Sequence, residues 1–185
     1  KNMINTFFFQ MNKINGGASR PKDIPPQKTE KVGILGAGMM GQGIAYSSAM
    51  VGIKVVLKDL SLEAAEKGKA YTETLLQKRV DKGRMTPAKM ADVLALIHPT
   101  ASDEDLDGCD LIIEAVFENM KLKHQMTRDL ESRLADGGVW GSNTSTLPIT
   151  QLAEASQNAE NFIGIHFFSP VDKMPLVEII MGDKT

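Results

Sequence analysis

The order of apolar and turn-forming segments predicts an α/β protein with a doubly wound, mostly parallel sheet. From residue 31 onward, short apolar runs of strand length alternate with longer segments of helical spacing. A glycine-rich turn joins the first predicted strand to the first predicted helix, as expected of a parallel strand–helix–strand unit. Polar residues follow several later apolar runs, at the strand ends where open α/β sheets bind ligands.

The composition is that of an ordinary globular protein. The chain has 185 residues, 42% hydrophobic and 24% charged, which excludes disorder of the whole chain. A formal net charge of −2 gives no basic surplus for nucleic acid, and no apolar run approaches the roughly 20 residues of a membrane span. Cys109 is the only cysteine, so we expect a small buried residue, no intrachain disulfide and a reducing compartment. No metal site is predicted.

Residues 1–30 differ from the rest of the chain. The aromatic patch Phe7-Phe8-Phe9 is followed by several turn-forming residues, namely Gly16-Gly17, Pro21 and Pro25-Pro26. We therefore expect an interdomain linker up to residue 30 and a single domain over 31–185. The aromatic patch either packs against a neighbouring domain or folds back onto this one. No secretory signal is recognisable after Lys1, and the sequence looks like a piece of a longer protein.

The first unit joins predicted strands at 32–35 and 55–59 through the segment Gly36-Ala37-Gly38-Met39-Met40-Gly41. Gly36 allows the tight turn, Gly38 lets a pyrophosphate approach the backbone, and Gly41 lets the helix pack closely on the strand. The N–H groups at the start of the helix, those of Met39 and Met40 included, then face the phosphates. The alternative is a glycine-rich turn that binds no ligand.

Asp59 follows the second strand, 21 residues after Gly38. Its carboxylate is positioned to accept hydrogen bonds from an adenosine ribose, and it would repel the 2′-phosphate of NADP. We therefore predict NAD as the cofactor, although the neighbouring Lys58 could weaken this preference. The alternative is an aspartate that only ends a strand.

A pair of helices is predicted between the second and third strands. The first covers about 61–82, with Ser61 as its cap and Gly83 at its end, and the second runs from Thr86-Pro87 to about 94. A plain crossover does not need this pair, so it is interpreted as an insertion. It either reaches over a bound cofactor or substrate, or serves packing alone.

The remaining strands are predicted at 96–97, 111–113, 139–140, 162–166 and 176–180, with a helix over about 121–134. Polar residues at 114–118 and 142–146 follow two of these strands. Because the carboxyl ends of parallel strands share one edge of the sheet, both segments are expected to border the ligand site.

His166 and Glu178 are the strongest catalytic candidates. They lie 12 residues apart, and Pro170 and Pro175 turn the chain between them. A carboxylate bonded to one ring nitrogen makes the other a competent general base, which alcohol oxidation by a nicotinamide requires. Because Glu178 sits among apolar residues, we expect a buried carboxylate that needs a partner. The alternatives are a structural histidine and a glutamate that faces solvent.

Ser145 lies in the polar segment after a strand, where its hydroxyl could bond a substrate oxygen. Serine and threonine runs also serve as turns and caps, so that alternative remains.

Four segments together resemble the NAD-binding domain of L-3-hydroxyacyl-CoA dehydrogenase, over about 31–181. The segments are Gly36 to Gly41, Asp110 to Asn119, Ser142 to Ser145 and His166 to Glu178. The stretch from Ser169 to Pro175 resembles the multifunctional fatty-acid oxidation alpha subunit in particular. In those proteins an enoyl-CoA hydratase domain precedes this one, so the first 30 residues resemble its tail.

The resemblance implies a Rossmann-type fold and NAD-dependent oxidation of L-3-hydroxyacyl-CoA to 3-ketoacyl-CoA in β-oxidation. It implies that His166 is the catalytic base, with Glu178 as its partner and Ser145 on the 3-oxygen of the substrate. The implied cofactor contacts, besides the glycine turn, are Asp59 on the adenosine ribose, Glu118 and Lys123 near the nicotinamide half, and Asn143.

Two departures from the family pattern matter. Ser169 stands where monofunctional members carry Asn, so that contact is expected to be weaker or water-mediated. The family also has a helical C-terminal domain that closes over acyl-CoA and forms the dimer, and we expect these 185 residues not to include it. A protein of only these 185 residues is therefore expected to bind NAD with reduced affinity and to show little turnover.

The resemblance also implies a complex with a thiolase subunit, in the bacterial cytoplasm or alternatively the mitochondrial matrix. Two other functions remain open at this point. One is a dinucleotide-binding module without chemistry. The other is a dehydrogenase of another small 3-hydroxy acid, which typically uses a lysine.

Overall fold

The computed structural model describes residues 2–18, 20–25 and 27–185, without the side chains of Met3 and Phe7. Its described strands form one seven-stranded sheet in the order β3-β2-β1-β4-β5-β6-β7. All neighbouring pairs are parallel except β6 and β7. The predicted doubly wound, mostly parallel α/β class is therefore confirmed. The strands are β1 (Lys31–Leu35), β2 (Lys54–Lys58), β3 (Ile97–Thr100), β4 (Cys109–Glu114), β5 (Leu134–Ser142), β6 (Phe162–Phe167) and β7 (Val177–Ile180).

The segment before β1 begins with helical turns rather than an irregular linker. It contains α1 (Asn2–Ile4), a π-helical stretch (Asn5–Gln10) and α2 (Met11–Asn15), and turns begin only at Gly16. Phe8 and Phe9 are 60% and 54% exposed, so these two rings are not buried against the sheet domain. The Phe7 ring and Pro26, which also entered the prediction, lie outside what the structure describes.

The first strand–helix–strand unit consists of β1, α3 (Met39–Met50) and β2. The crossover to β3 contains the predicted helical pair, α4 (Leu62–Asp81) and α5 (Pro87–Ala95). Both predicted caps are present, because Ser61 Oγ accepts from the Ala64 N–H and Thr86 Oγ1 from the Lys89 N–H. The buried side of the pair packs against the sheet and α3, in agreement with the packing interpretation.

The second half differs from the prediction around β5. The helix after β4, α6 (Met120–Leu130), is followed by a 3₁₀ turn (Glu131–Arg133), and β5 starts at Leu134. The sequence predicts a turn at Gly137-Gly138, but these glycines lie within the strand, where the register to β4 shifts. Gly137 has a φ of +72°, so an irregularity of the ladder accommodates the turn-like glycine without ending the strand.

Apolar side chains fill both faces of the sheet. One core packs β1, β2 and β3 against α3, α4 and α5, and it contains Ile34, Ile44, Leu57, Leu76 and Ile97. The other packs the opposite face under α6 and the short α7 (Ile149–Leu152), and it contains Ile112, Leu130, Trp140, Leu152 and Phe162. Cys109 belongs to the second core as predicted, and burial raises the pKa of its thiol to about 11.

No helix in the described ranges is long and apolar enough to cross a membrane. Among the same residues, no group of three or more His, Cys, Asp or Glu side chains is arranged to hold a metal ion.

Candidate functional site

The glycine turn between β1 and α3 has the geometry of a phosphate cradle. Gly36 has a φ of +94°, and a Cβ there would lie 2.8 Å from the Ala115 carbonyl oxygen. A Cβ on Gly41 would lie 1.7 Å from the Gly36 carbonyl oxygen, so only glycine allows α3 to pack this closely. At Gly38, the N-cap of α3, a Cβ would meet no protein atom within 4 Å. The open side of the turn is therefore available to a ligand, and the residues present fit the pyrophosphate of a dinucleotide.

A cavity of about 440 Å³ opens beside this turn, between the carboxyl ends of β1, β2 and β4. Its walls include Met39, Met40, Leu60 and Phe117, with Asp59 among the lining residues. Met39 and Phe117 are 68% and 85% exposed, an unusual position for large apolar side chains in a rigid strand–helix turn. The size and the apolar walls are those of a nucleotide-binding pocket at a topological switch point.

Asp59 does more than the sequence predicts. Its Oδ2 accepts from the Ala37 N–H at 2.7 Å, and its Oδ1 accepts from the Leu60 N–H at 2.7 Å. The carboxylate therefore holds the glycine turn in place, and it keeps lone pairs for ribose hydroxyls because a carboxylate offers about four acceptor sites. Lys58 forms an ion pair with Asp103 at 2.9 Å. Because Asp103 neutralises its charge, Lys58 should weaken the preference for NAD over NADP less than the sequence suggests.

Glu114, Glu118 and Lys123 form a charged cluster next to the cavity: Glu114 ends β4, Glu118 lies in the loop that follows, and Lys123 lies on α6. Lys123 Nζ donates to Glu114 Oε1 and lies 3.3 Å from Glu118 Oε2. The Glu114 and Lys123 side chains are 1% and 2% exposed. The sequence analysis assigned roles to Glu118 and Lys123, whereas it placed Glu114 at the ligand edge without a role and missed its ion pair with Lys123. The available signal was a charged residue directly after the buried run Leu111–Ile113.

Glu118 fastens the polar segment that follows β5. It accepts from the hydroxyl of Thr144, the backbone N–H groups of Ser145 and Thr146, and the hydroxyl of Thr146. Burial alone would raise the pKa of Glu118, but the bond from Thr144, the Thr146 N–H and the charge of Lys123 together lower this pKa to about 2. Glu118 is therefore a carboxylate at any physiological pH.

Asn143 connects this segment to β6. Its side-chain Oδ1 accepts from the Phe167 N–H at 2.9 Å, and its own N–H donates to the Glu114 carbonyl oxygen at 2.8 Å. The amide nitrogen of its side chain has no partner among the hydrogen bonds of the described residues. Asn143 therefore lies between the charged cluster and His166, the residue preceding Phe167.

His166 and Glu178 are directly paired. They face each other across the antiparallel β6–β7 ladder, with His166 Nδ1 2.9 Å from Glu178 Oε2. The His166 side chain is 20% exposed, and the Phe168 ring lies against the imidazole at a centroid distance of 4.6 Å. The geometry leaves Nε2 as the free ring nitrogen of a histidine that donates from Nδ1.

The expected burial of Glu178 is wrong. Its side chain is 51% exposed, and all four residues of β7 are exposed. The physical reason is that β7 is the last strand of the sheet and pairs only with β6. The apolar run around Glu178 thus marks an exposed sheet edge instead of a core strand.

The loop between His166 and Glu178 has two anchors that sequence reasoning missed. Val171 is buried against Gly43 of α3, where an added Cβ would lie 2.8 Å from Val171 Cβ. Tyr71 of α4 donates its hydroxyl hydrogen to Asp172 Oδ1 at 2.7 Å. Burial and this bond to Asp172 raise the pKa of Tyr71 to about 12. Neither contact has a local sequence signal, because the partners are far apart in the chain.

The predicted residues thus form three groups along one edge of the sheet. The first is the glycine turn with Asp59, the second is the charged cluster with Asn143 and Ser145, and the third is the His166–Glu178 pair. Asn143 links the second and third groups. Ser145 is exposed, and no direct hydrogen bond joins it to His166 within the described residues.

Comparison with known proteins identifies the family of the chain. A family model described as 3-hydroxyacyl-CoA dehydrogenase, NAD binding domain, matches residues 31–185. The chain is 47% identical over 156 residues to the fatty acid oxidation complex subunit alpha of Pseudomonas entomophila. The aligned residues make up 84% of this chain and 22% of that protein. The chain thus spans about a fifth of the length of this curated relative.

Solved structures give the same result. The (S)-3-hydroxybutyryl-CoA dehydrogenase PaaH1 of Ralstonia eutropha superposes with a TM-score of 0.81 at 41% identity, over 85% of this chain and 56% of that one. The 3-hydroxybutyryl-CoA dehydrogenase of Escherichia coli gives a TM-score of 0.82 at 32% identity, over 86% and 34% of the two chains. The matching family model describes an NAD-binding domain, so the cofactor of this domain is NAD. The chain belongs to the family of 3-hydroxyacyl-CoA dehydrogenase NAD-binding domains.

Proposed function

We propose that this chain is the NAD-binding, base-bearing part of an enzyme that oxidises L-3-hydroxyacyl-CoA to 3-ketoacyl-CoA in fatty-acid β-oxidation. The observation that carries the proposal is the 2.9 Å contact between His166 Nδ1 and Glu178 Oε2, at the sheet edge that also bears the glycine turn. A module that only binds a dinucleotide has no use for a histidine oriented in this way. The enzymatic domain is proposed to cover 31–185, with the preceding residues as an interdomain linker or the tail of an upstream domain.

The histidine acts as the general base in this proposal. Glu178 accepts the Nδ1 hydrogen and fixes the tautomer, so that Nε2 can take the proton of the substrate 3-hydroxyl. The carboxylate then stabilises the imidazolium that forms. In the reverse direction the same imidazolium returns the proton to the oxygen of the ketone.

NAD, when bound, supplies the hydride acceptor for the carbinol carbon. The glycine turn from Gly36 to Gly41, with the N–H groups of Met39 and Met40, holds the pyrophosphate, and Asp59 bonds the adenosine ribose. Glu118, Lys123 and Asn143 border the nicotinamide half. Ser145 bonds the 3-oxygen of the substrate, and the exposed position of Ser145 supports this role.

The biological setting is proposed from the relatives. The curated relative is named a subunit of a fatty acid oxidation complex. We extend this to the present protein, with a thiolase subunit as partner, a helical C-terminal domain that forms the dimer and covers acyl-CoA, and a location in the bacterial cytoplasm. The exposed residues of β7 support such a covering domain, because its apolar side chains, which are 37–61% exposed, otherwise face water.

The test uses the natural protein that carries this sequence, at its full length. NADH formation from an L-3-hydroxyacyl-CoA is measured for the wild type and for His166→Gln, with His98→Gln as the matched control. His98 lies on β3, pairs with Asp105 and is outside the proposed site. We expect His166→Gln to lower kcat by about 10²- to 10⁴-fold, with the Kd of NAD unchanged. Equal activity of the two variants, or no activity of the wild type on any 3-hydroxyacyl-CoA, contradicts the proposal.

A further inference from the structure

The charged cluster contains more negative than positive charge. Lys123 supplies one ammonium group to two carboxylates, those of Glu114 and Glu118. Every hydrogen-bond partner of the two carboxyl groups is a donor. For Glu114 these are Lys123 Nζ, the Val116 N–H at 3.1 Å and the Ser142 hydroxyl at 2.8 Å. With the usual charges of these side chains at neutral pH, two carboxylates and one ammonium group give the cluster a formal charge of −1.

The cluster lies on the nicotinamide side of the site. In a doubly wound sheet a dinucleotide extends across the switch point, with one mononucleotide over each half of the sheet. Asp59, at the end of β2, marks the adenosine half. Glu114 ends β4 and Ser142 ends β5, on the opposite side of β1 in the strand order. Ala115 and Phe117, between the two glutamates, also line the cofactor cavity.

Lys123 neutralises only one of the two carboxylates, and Glu114 supplies the more buried of the two negative charges. The Glu114 side chain is 1% exposed, so its charge is little screened by water, whereas the Glu118 side chain is 35% exposed. Lys123, the Val116 N–H and the Ser142 hydroxyl compensate the burial of Glu114, and no argument about the His166–Glu178 pair requires its charge.

We propose that Glu114 is a specificity-determining residue that makes the nicotinamide half of the site discriminate between the two redox states of the cofactor. The oxidised ring carries a positive charge and the reduced ring carries none. A net negative cluster beside the ring therefore stabilises bound NAD⁺ and leaves bound NADH unaffected, relative to a neutral site. This inference rests on the proposed placement of the nicotinamide half, and it adds a residue that the dehydrogenase proposal does not use.

The experiment measures the Kd values of NAD⁺, NADH and ADP-ribose by calorimetric titration of the full-length natural protein. Glu114→Gln keeps the size of the side chain and removes the charge, so the cluster becomes neutral. We expect the ratio of the Kd of NAD⁺ to that of NADH to rise about fivefold, the order expected for one unit charge at a partly screened dielectric. The Kd of ADP-ribose, which lacks the nicotinamide, should stay within about twofold of the wild type.

Ser142→Ala is the matched control, because it removes a hydrogen bond to Glu114 without changing any charge. A role of Glu114 in packing alone predicts that both variants weaken NAD⁺ and NADH alike. An unchanged ratio in Glu114→Gln, or an equal change in Ser142→Ala, overturns the inference. Should Glu114→Gln fail to fold, Glu118→Gln makes the same charge change at a more exposed position, and the ratio must rise there or the inference fails. Failure of the wild type to bind either cofactor would instead contradict the proposed function.

Discussion

Gly38 and Gly41 lie in the same turn, yet the structure predicts opposite consequences for a methyl group at each position. At Gly38 an added Cβ meets no protein atom within 4 Å, and its φ of −69° is ordinary for alanine. At Gly41 the Cβ would lie 1.7 Å from the Gly36 carbonyl oxygen, a backbone atom that cannot move independently. Gly38→Ala therefore tests ligand binding, and Gly41→Ala tests packing.

For Gly38→Ala we expect a change in the free energy of unfolding of less than about 1 kcal/mol, because the lost N-cap preference and the reduced entropy of the unfolded chain nearly cancel. The methyl group does occupy the approach of the pyrophosphate, so the Kd of NAD should rise at least about tenfold, which corresponds to 1.4 kcal/mol. For Gly41→Ala, forced overpacking against a backbone oxygen should cost about 3 kcal/mol or more.

Urea denaturation gives the two free energies of unfolding, with the fluorescence of buried Trp140, the only tryptophan of the chain, as the probe. Calorimetric titration gives the Kd of NAD. Normal NAD binding by Gly38→Ala would refute the assignment of the pyrophosphate to this turn. Wild-type stability of Gly41→Ala would refute the claim that close packing requires glycine there.

Three further predictions concern the rest of the site. Glu178→Gln loses a charge-assisted bond to His166 worth about 1.5–3 kcal/mol, so kcat of the full-length protein should fall about 10- to 100-fold with unchanged NAD binding, and an unaffected kcat would argue against the pair. In the folded protein the pKa of Glu118 is lowered to about 2, from about 4.5 in the unfolded chain. The ionised Glu118 side chain therefore stabilises the fold fully above about pH 4.5, and this stabilisation is lost as the pH falls to about 2. Glu118→Gln should flatten the pH dependence of the free energy of unfolding between these two pH values. Tyr71→Phe removes the 2.7 Å hydrogen bond to Asp172 and should lower the free energy of unfolding by about 1 kcal/mol. If this bond is the cause, adding Asp172→Asn to Tyr71→Phe should lower the free energy of unfolding no further.

Local patterns were enough to predict the fold. The glycine turn, the caps at Ser61 and Thr86 and the apolar runs of β1, β2 and β4 each contain their signal within a few neighbouring residues. The contact between His166 and Glu178 was also predictable, because the two strands that carry these residues are separated by a short loop with two prolines. The structure joins His166 and Glu178 through the register of β6 and β7.

Other features depend on tertiary position and have no such signal. Glu178 was expected to be buried because its neighbours are apolar, but β7 lies at the edge of the sheet and exposes them. Glu114 resembles an ordinary strand end until α6 brings Lys123 against it. A sequence pattern indicates which face of its own helix or strand a residue occupies. The environments of Glu178 and Glu114 depend instead on whether another element packs beside them.

The hydrogen bonds of Asn143 join two separately built parts of the proposed site. The cofactor cradle rests on β1 and α3, and the histidine lies on β6, three strands away in the sheet order β1-β4-β5-β6. The Asn143 N–H donates to the Glu114 carbonyl oxygen at the end of β4, and Asn143 Oδ1 accepts from the Phe167 N–H of β6, so Asn143 holds the two strand ends at a fixed separation. Since a misplacement of about 1 Å can cost a hundredfold in rate, the base must be held relative to the nicotinamide and not only relative to its own strand. The placement of His166 therefore depends on residues that need not touch the reacting atoms.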